Sequence, residues 1–363
     1  MSVPDTDTDA AAHTALPVLN LTDFTQGDAQ RRAAFVQRLR DVAHGVGFFY
    51  LSGYGAAPGQ VDAVFNATRD FFALPAAQKE ALRMVNSPHF RGYTRAGDEI
   101  TRGERDWREQ IDIGAEREAI APTPGLPSWL RLQGPNQWPD SLPQFKTTLL
   151  QWQDTLTHAG RDLLRALALA LGQPENCFDA AFAHAPVQHL KVIRYPGRSQ
   201  DTSQQGVGAH KDGGCLTLLL QHERAGLQVL DRNAAHERWI DVPPLPGTLV
   251  INLGEVLEVQ SGGYLRANIH RVVSPPQDAD RLSVAFFLSP QLDAELPLLP
   301  LPPALAAQAH GIDRDPQNPL ISHTGRNLLK GRLRSHPDVA LRHHADVLAA
   351  HGIAPNAAPA AYA

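Results

Sequence analysis

Residues 208–221, GAHKDGGCLTLLLQ, decide how the chain is read. The run CLTLLLQ has the length and composition of a short β-strand, and just ahead of it His210 and Asp212 stand two residues apart. On extended backbone, residues i and i+2 point to the same face, so the two side chains can converge on one ion. Strand character continues on both sides. Between Pro186 and Pro290 the runs HLKVIRYP, GLQVLD, RWIDVPP, TLVINLG, HRVVSP and RLSVAFFLSP are separated by Gly, Pro, Asp and Asn. That is the pattern of an antiparallel sandwich or barrel.

Upstream the periodicity is helical. Phe35, Leu39, Val42 and Val46 form one stripe over Gln30–Val46, and a second helix is expected from Gly59 to Leu74, ending ahead of Pro75. LPVLNLTDF (16–24) and GFFYLSGYG (47–55) read as short strands, and 122–143 reads as a long loop rich in proline, tryptophan and glycine. The longest helical pattern runs from Gln144 to Leu171 and closes on Gly172, the residue favoured just past a helix end. Past Pro290, the segment GRNLLKGRLRSHPDVALRHHADVL (325–348) is expected to be helical and mostly exposed.

Composition narrows the function. The chain has 363 residues, 43% of them hydrophobic, enough for a large core, with 33 basic and 38 acidic residues. A net charge of -5 gives no basic excess for binding a phosphate backbone, and no apolar run approaches the roughly 18 residues of a membrane span. Neither nucleic acid nor membrane is therefore expected as a partner. The acidic start MSVPDTDTDAAAHTA lacks the basic and apolar regions of a secretory signal, and only Cys177 and Cys215 could pair. A cytoplasmic protein with reduced thiols is expected.

The His-x-Asp spacing recurs at His336/Asp338 and at His344/Asp346, so context must choose. On a helix, i and i+2 diverge. Asp338 follows Pro337 at an expected helix start, where a negative charge is favoured. The β-region pair is the better metal candidate. His222 and His236 sit among charged residues in expected turns and are assigned to solvent, whereas His270 lies between Ile269 and Val272 on an expected strand. It reads either as a third ligand or as a hydrogen-bonded core histidine. Two imidazoles and one carboxylate leave positions open, as suits non-haem Fe(II) and oxygen activation. Further on, Arg281 and Ser283 form the chain's one Arg-x-Ser on a strand face. A guanidinium fork with a hydroxyl beside it suits the far end of a dicarboxylate that chelates the metal at its near end. Tyr195 reads equally as a contact to that ligand and as a structural aromatic, while Arg194 and Arg198 are expected to face water.

These motifs, in this order, resemble the isopenicillin N synthase-like Fe(II)/2-oxoglutarate-dependent dioxygenases. The likeness spans nearly the whole chain: LPVLNLTDF, VGFFYLSGYG, FFALPAAQK, RGYTRAGDE and DWREQIDIG at the front, then YPGR, GAHKDGGCLTLLLQ, GLQVLD, INLGEVLEVQSGGYLRANIHRVV and RLSVAFFLSP. The resemblance implies an α+β fold with a double-stranded β-helix (jelly roll) core framed by helices. It implies Fe(II) held by His210, Asp212 and His270, with Arg281 and Ser283 on the distal carboxylate of 2-oxoglutarate. The chain then divides into an N-terminal non-haem dioxygenase domain (1–120), a loop and long packing helix (121–185), the jelly-roll core (186–290) and a C-terminal helical segment (291–363). Two positions depart from the family pattern. Glu255 stands where many members have aspartate, with only a structural effect expected, and Ile193 replaces an asparagine common in plant relatives, which touches one cosubstrate contact.

The implied reaction consumes 2-oxoglutarate and O2 as cosubstrates, releases succinate and CO2, and oxidises an unactivated C–H bond of a small-molecule substrate. Hydroxylation is the default; desaturation or ring closure needs only another fate for the substrate radical. HFRGYTRAGDE (89–99) is the expected substrate wall, with Phe90, Arg91, Tyr93 and Arg95 favouring an acidic or aromatic molecule, and Leu218 and Phe287 either lining the pocket or filling core. The alternatives are a 2-oxoglutarate-independent oxidase of isopenicillin N synthase type, a zinc hydrolase, which has no evident need for Arg281 and Ser283, and a non-catalytic binding scaffold.

Overall fold

In the strand Leu216–Gln221, Leu216, Leu218 and Leu220 join one hydrophobic core while Leu219 packs into another. This alternation organises the molecule. The structure is a computed structural model that describes residues 16–350 except 102, 122, 200–202, 233–235 and 314–318.

The first part of the chain forms β1 (Val18–Asn20), α1 (Leu21–Thr25), α2 (Ala29–Gly45), β2 (Phe48–Ser52), α3 (Gln60–Phe72) and α4 (Ala76–Ala81). Next come β3 (Gly92–Thr94), β4 (Ile100–Thr101), β5 (Glu104–Arg105), β6 (Glu109–Gly114) and α5 (Pro143–Ala170). The β-region holds β7 (Pro186–Tyr195), β8 (Gln205–His210), β9 (Leu216–Gln221), β10 (Leu227–Asp231), β11 (Arg238–Asp241), β12 (Leu249–Leu253), α6 (Glu255–Gln260), β13 (His270–Val273) and β14 (Arg281–Gln291). Beyond it lie α7 (Pro303–Ala306), α8 (Thr324–Ser335), α9 (Pro337–His343) and α10 (Ala345–Ala350).

An eight-stranded sheet, ordered β1-β2-β12-β9-β14-β7-β6-β3, and a four-stranded sheet, β11-β10-β13-β8, make the jelly roll. All their pairings are antiparallel except β1 with β2. Phe48, Tyr50, Ile193, Val250 and Ala285 of the large sheet pack with Val207, Val229 and Val272 of the small one, forming the core of the sandwich. The opposite face of the large sheet, with Leu190, Val192, Leu218, Ile251 and Phe286, packs on Leu149, Trp152, Leu156 and Leu163 of α5. That helix begins with Pro143 at its first turn, where a missing N–H costs nothing, and Gly172 follows its end at φ 69°, as expected for a left-handed cap.

Two expectations change. LPVLNLTDF is a strand only to Asn20, because the Asn20 side chain accepts the Thr22 N–H at 3.2 Å and starts a helix. The segment 325–348 is helical but broken into three, and it is not mostly exposed. His336 and His344 are buried, and Leu329, Val339 and Val347 pack on Met84, Phe90 and Leu132.

Candidate active site

Strand β13 pairs with β8 so that His270 lies directly across from His210, with ring centroids 4.3 Å apart. Asp212 follows β8 in the turn to β9, and its Oδ1 lies 3.6 Å from His210 Nε2 and 3.7 Å from His270 Nε2. Each group is aimed by a second bond. His210 Nδ1 lies 2.8 Å from the Gly208 carbonyl and His270 Nδ1 3.2 Å from that of Asn268, contacts that place the proton on Nδ1 and leave Nε2 free to ligate. The other Asp212 oxygen, Oδ2, accepts from Thr217 Oγ1 at 2.5 Å and from Asn252 Nδ2 at 2.7 Å. Thr217 and Asn252 point inward by the same strand alternation that sends Leu218 and Ile251 outward. The turn itself packs tightly: a Cβ on Gly254 would fall 2.1 Å from the Gly214 carbonyl oxygen.

Among the described residues this is the one group of three or more His, Cys, Asp or Glu whose ligand atoms lie within 4.8 Å of one another. Burial acts to raise the Asp212 carboxyl, but His270, His210 and the Thr217 bond hold it well below the usual carboxylate range. Burial first, then the neighbouring His210, lowers His270 to about 4. Two imidazole Nε2 atoms and a carboxylate held ionised between them fit a divalent ion of the Fe(II) type.

A narrow cavity between the sheets runs from the His210–Asp212–His270 group to Arg281 and Ser283, past Tyr195, Phe48 and Val272. The Arg281 side chain is buried, at 1% exposure. It donates to Gln221 Oε1 at 2.7 Å and, at a long 3.4 Å, to Ser283, and it lies 4.9 Å from the centre of the Tyr195 ring. Its Nε has no partner, and no carboxylate pairs with it among the described residues. Gly226, at φ 146°, makes room: a Cβ there would meet the Arg281 Cδ at 3.1 Å. A buried cation without a counter-ion is suited to a carboxylate.

A larger cavity of about 430 Å³ opens on His210 and Asp212 and is walled by β4, β7, the loops around Arg91 and Arg117, and α8. The charges in and behind its wall are extensively paired. Glu99 accepts from Arg108 Nη2 at 2.7 Å and lies 3.4 Å from Lys191 Nζ and 3.6 Å from His336 Nε2. Asp112, on β6, lies 2.8 Å from His189 Nε2, 3.6 Å from Lys191 and 3.4 Å from Arg332. Burial lowers His189 to about 3 and His336 to about 4, so both are neutral at pH 7.

Of the four expected wall residues, Arg91 alone lines this cavity. Phe90 is fully buried, stacked on His344 and turned there by a left-handed φ of 56°. Tyr93 is buried with its hydroxyl on Glu109 at 2.6 Å, and Arg95 is exposed, paired with Glu80. Phe287 lines both cavities, whereas Leu218 belongs to the helix-facing core. Arg194 bridges Glu109 and Asp280, and Arg198 stacks over Trp107. His222 packs its ring on Phe65. Glu255 lines the cavity, and burial raises it to about 6. Sequence reasoning missed His189, Lys191, Arg332 and His336. Two of them carried a signal: in HLKVIRY, polar residues alternate with apolar ones on a strand whose other face is core.

Two families match the chain: "non-haem dioxygenase in morphine synthesis N-terminal" over residues 16–141, and "2OG-Fe(II) oxygenase superfamily" over residues 186–290. The 2-oxoglutarate-dependent dioxygenase frbJ of Dothideomycetidae sp. is 34% identical over 345 residues, 90% of each chain. Homoarginine-6-hydroxylase 2-ODD-C23.1 of Arabidopsis thaliana is 35% identical over 268 residues, 72% of this chain and 78% of its own. Among solved structures, a full-length Neurospora crassa protein in complex with alpha-KG and 5-formyluracil superposes with a TM-score of 0.70 at 27% identity, covering 87% of this chain and 95% of that one.

Proposed function

The chain belongs to the 2-oxoglutarate- and Fe(II)-dependent oxygenases, and from that premise we propose that His210, Asp212 and His270 hold the iron while Arg281 and Ser283, with Tyr195 beside them, receive the distal carboxylate of 2-oxoglutarate. The enzyme is a 2-oxoglutarate-dependent dioxygenase, an oxidoreductase acting on a small molecule. When bound, iron and 2-oxoglutarate supply, with dioxygen, an oxidant for a substrate C–H bond, with release of succinate and CO2. Hydroxylation is the outcome proposed here.

The protein's own share is orientation and exclusion of water. Thr217 and Asn252 pin one oxygen of Asp212 so that the other faces the histidines, and Phe48 packs edge-on against His270 at 5.2 Å. Arg281 fixes the far end of the cosubstrate inside the sandwich, which leaves the outer cavity to the substrate. The likeness to the 2-oxoglutarate-dependent dioxygenase frbJ favours this reading over a 2-oxoglutarate-independent oxidase. The four segments bounded at 120, 185 and 290 are proposed as parts of one folded unit, since β1, β2, β3 and β6 pair into the same sheet as β7, β9, β12 and β14. No helix among the described residues is long and apolar enough to cross a membrane, and the unpaired Cys177 and Cys215 suit the cytoplasmic setting included in this reading.

The observation that carries the proposal is the buried Arg281 without a counter-ion. In Arg281→Gln, iron content should stay normal. The apparent constant for 2-oxoglutarate should rise about thirtyfold to several-thousandfold, the equivalent of roughly 2–5 kcal/mol for an unpaired buried charge. Titration of anaerobic Fe(II) protein with 2-oxoglutarate, following the metal-to-ligand charge-transfer band, measures it. An unchanged titration in the variant would sink the assignment.

A further inference from the structure

The charges lining the outer cavity are not evenly matched. Each wall carboxylate that is fully enclosed already has its partners: Glu99 binds Arg108, Lys191 and Gln110, Asp106 accepts from Thr101, Gln205 and the Gly208 N–H, and Asp212 from Thr217 and Asn252. The Glu255 carboxylate makes no hydrogen bond among the described residues, but Lys211 and Lys330 act on it. The uncommitted charge lies elsewhere and is positive. Arg91 donates only to the carbonyls of His89, Phe90 and Leu132, and Arg117 only to those of Ala185 and Pro186. Neither forms an ion pair among the described residues. Arg332 reaches one carboxylate, Asp112, at 3.4 Å, and shares it with Lys191 and His189.

Two of these guanidinium groups act on the third. Burial, then repulsion from Arg332 and Arg117 against the pull of Asp112 and Glu116, brings Arg91 down to about 9. The Arg91 Nε is buried without a partner, and Gly114 leaves the space its guanidinium occupies, since a Cβ there would fall 2.3 Å from it. Three cations lining one end of a cavity, with a direct ion pair to Asp112 alone among the described residues, favour an anion there, and a guanidinium fork matches a carboxylate in plane.

We infer that the substrate is a small organic acid whose carboxylate is held by Arg91, Arg117 and Arg332 at the end of the cavity where the chain leaving β6 meets β7 and α8. This rests on the dioxygenase reading above and specifies its substrate class. The acid's carboxylate sits on the arginines while its chain extends past Phe287 toward the triad. A cavity of about 430 Å³ suits a molecule of that size.

The test is calorimetric titration of the full chain, loaded anaerobically with Fe(II) and 2-oxoglutarate, against matched probes: hexanoate and hexanamide, phenylacetate and phenylacetamide, and the cation hexylamine. At least one acid should bind tenfold or more tightly than its amide. Arg117→Gln and Arg332→Gln should each remove that preference while the 2-oxoglutarate charge-transfer band stays unchanged. Arg332 also packs against His189, so Arg117→Gln, whose side chain is held only by two carbonyls, keeps the test sound if the other variant misfolds. Acids binding no better than amides, binding by neither, or hexylamine binding best overturns the inference and leaves the dioxygenase reading standing. Absence of the band and of succinate in the unaltered protein sinks that reading and this inference with it.

Discussion

The narrow cavity between the sheets and the broad one outside them are both lined by buried charge, but they are built in opposite ways. Inside, the groups around the triad and the recess come from strand positions whose neighbours face core: Thr217 on β9, Asn252 on β12, Arg281 and Ser283 on β14. Outside, the wall is gathered from loops, β4, β7 and α8, and its charges are mostly satisfied by one another. A site that must present the same cofactor atoms each time is set into rigid, locally encoded geometry. A site that must fit a particular molecule is assembled from distant pieces.

The comparison can be broken most directly at the triad. His210→Ala, Asp212→Ala and His270→Ala should each abolish iron binding and turnover with the fold retained, while His336→Ala and His344→Ala should leave iron stoichiometry unchanged. Elemental analysis of anaerobically loaded protein decides it, and loss of iron in either control would erase the distinction between the two regions. A smaller effect is expected one bond further out. Thr217→Val or Asn252→Ala frees the second Asp212 oxygen, and iron affinity should fall about 10–100-fold, the usual cost of removing a group that orients a ligand. Competitive metal titration measures that fall.

The outer wall should show itself through pH. His189 and His336 are neutral when folded, with values of about 3 and about 4, against about 6.5 for an exposed histidine. Folded values below the unfolded one mean that the unfolded chain takes up protons first as the solution is acidified. Their contribution to stability is therefore complete above about pH 6.5 and is lost as pH falls toward 4 and then 3. The thermal midpoint of the metal-free protein should drop across that window, and His336→Asn should make the drop shallower. An unchanged slope in that variant would remove His336 from the network. The smallest effect concerns the thiols. Cys215, buried and raised by its burial, should react with a thiol reagent more slowly than half-buried Cys177, and intact-mass analysis should find no bridge between them.

The same contrast explains what could be read in advance. The pairs His210/Asp212 and Arg281/Ser283 were picked out by the two-residue period of extended backbone, although Asp212 falls in the turn after β8. His270 stayed open on its residues alone and became a proposed ligand through the family likeness, and the register of β8 with β13 sets it across from His210. The wall of the outer cavity was not picked out in this way. Within residues 90–95 the chain turns at Phe90 in a left-handed conformation, so Phe90 goes to the C-terminal core, Arg91 to the cavity and Arg95 to the surface. No periodicity covers such a turn. Arg332 and His336 gain their roles only where α8 packs back against β14 and the loop at 128–132, a contact between segments far apart in sequence.

The alternation along β14 also says where this protein can change. Deleting one residue between Arg281 and Phe287 would exchange the two faces, burying Leu282 and Val284 in the cofactor recess and driving a guanidinium into the helix-packed core. Length variation there is forbidden by geometry, whatever the substrate. The outer wall imposes no such rule, because its groups lie on separate segments that can be lengthened or exchanged one at a time. New specificities can thus arise by insertion and replacement around the rim while the interior is inherited intact.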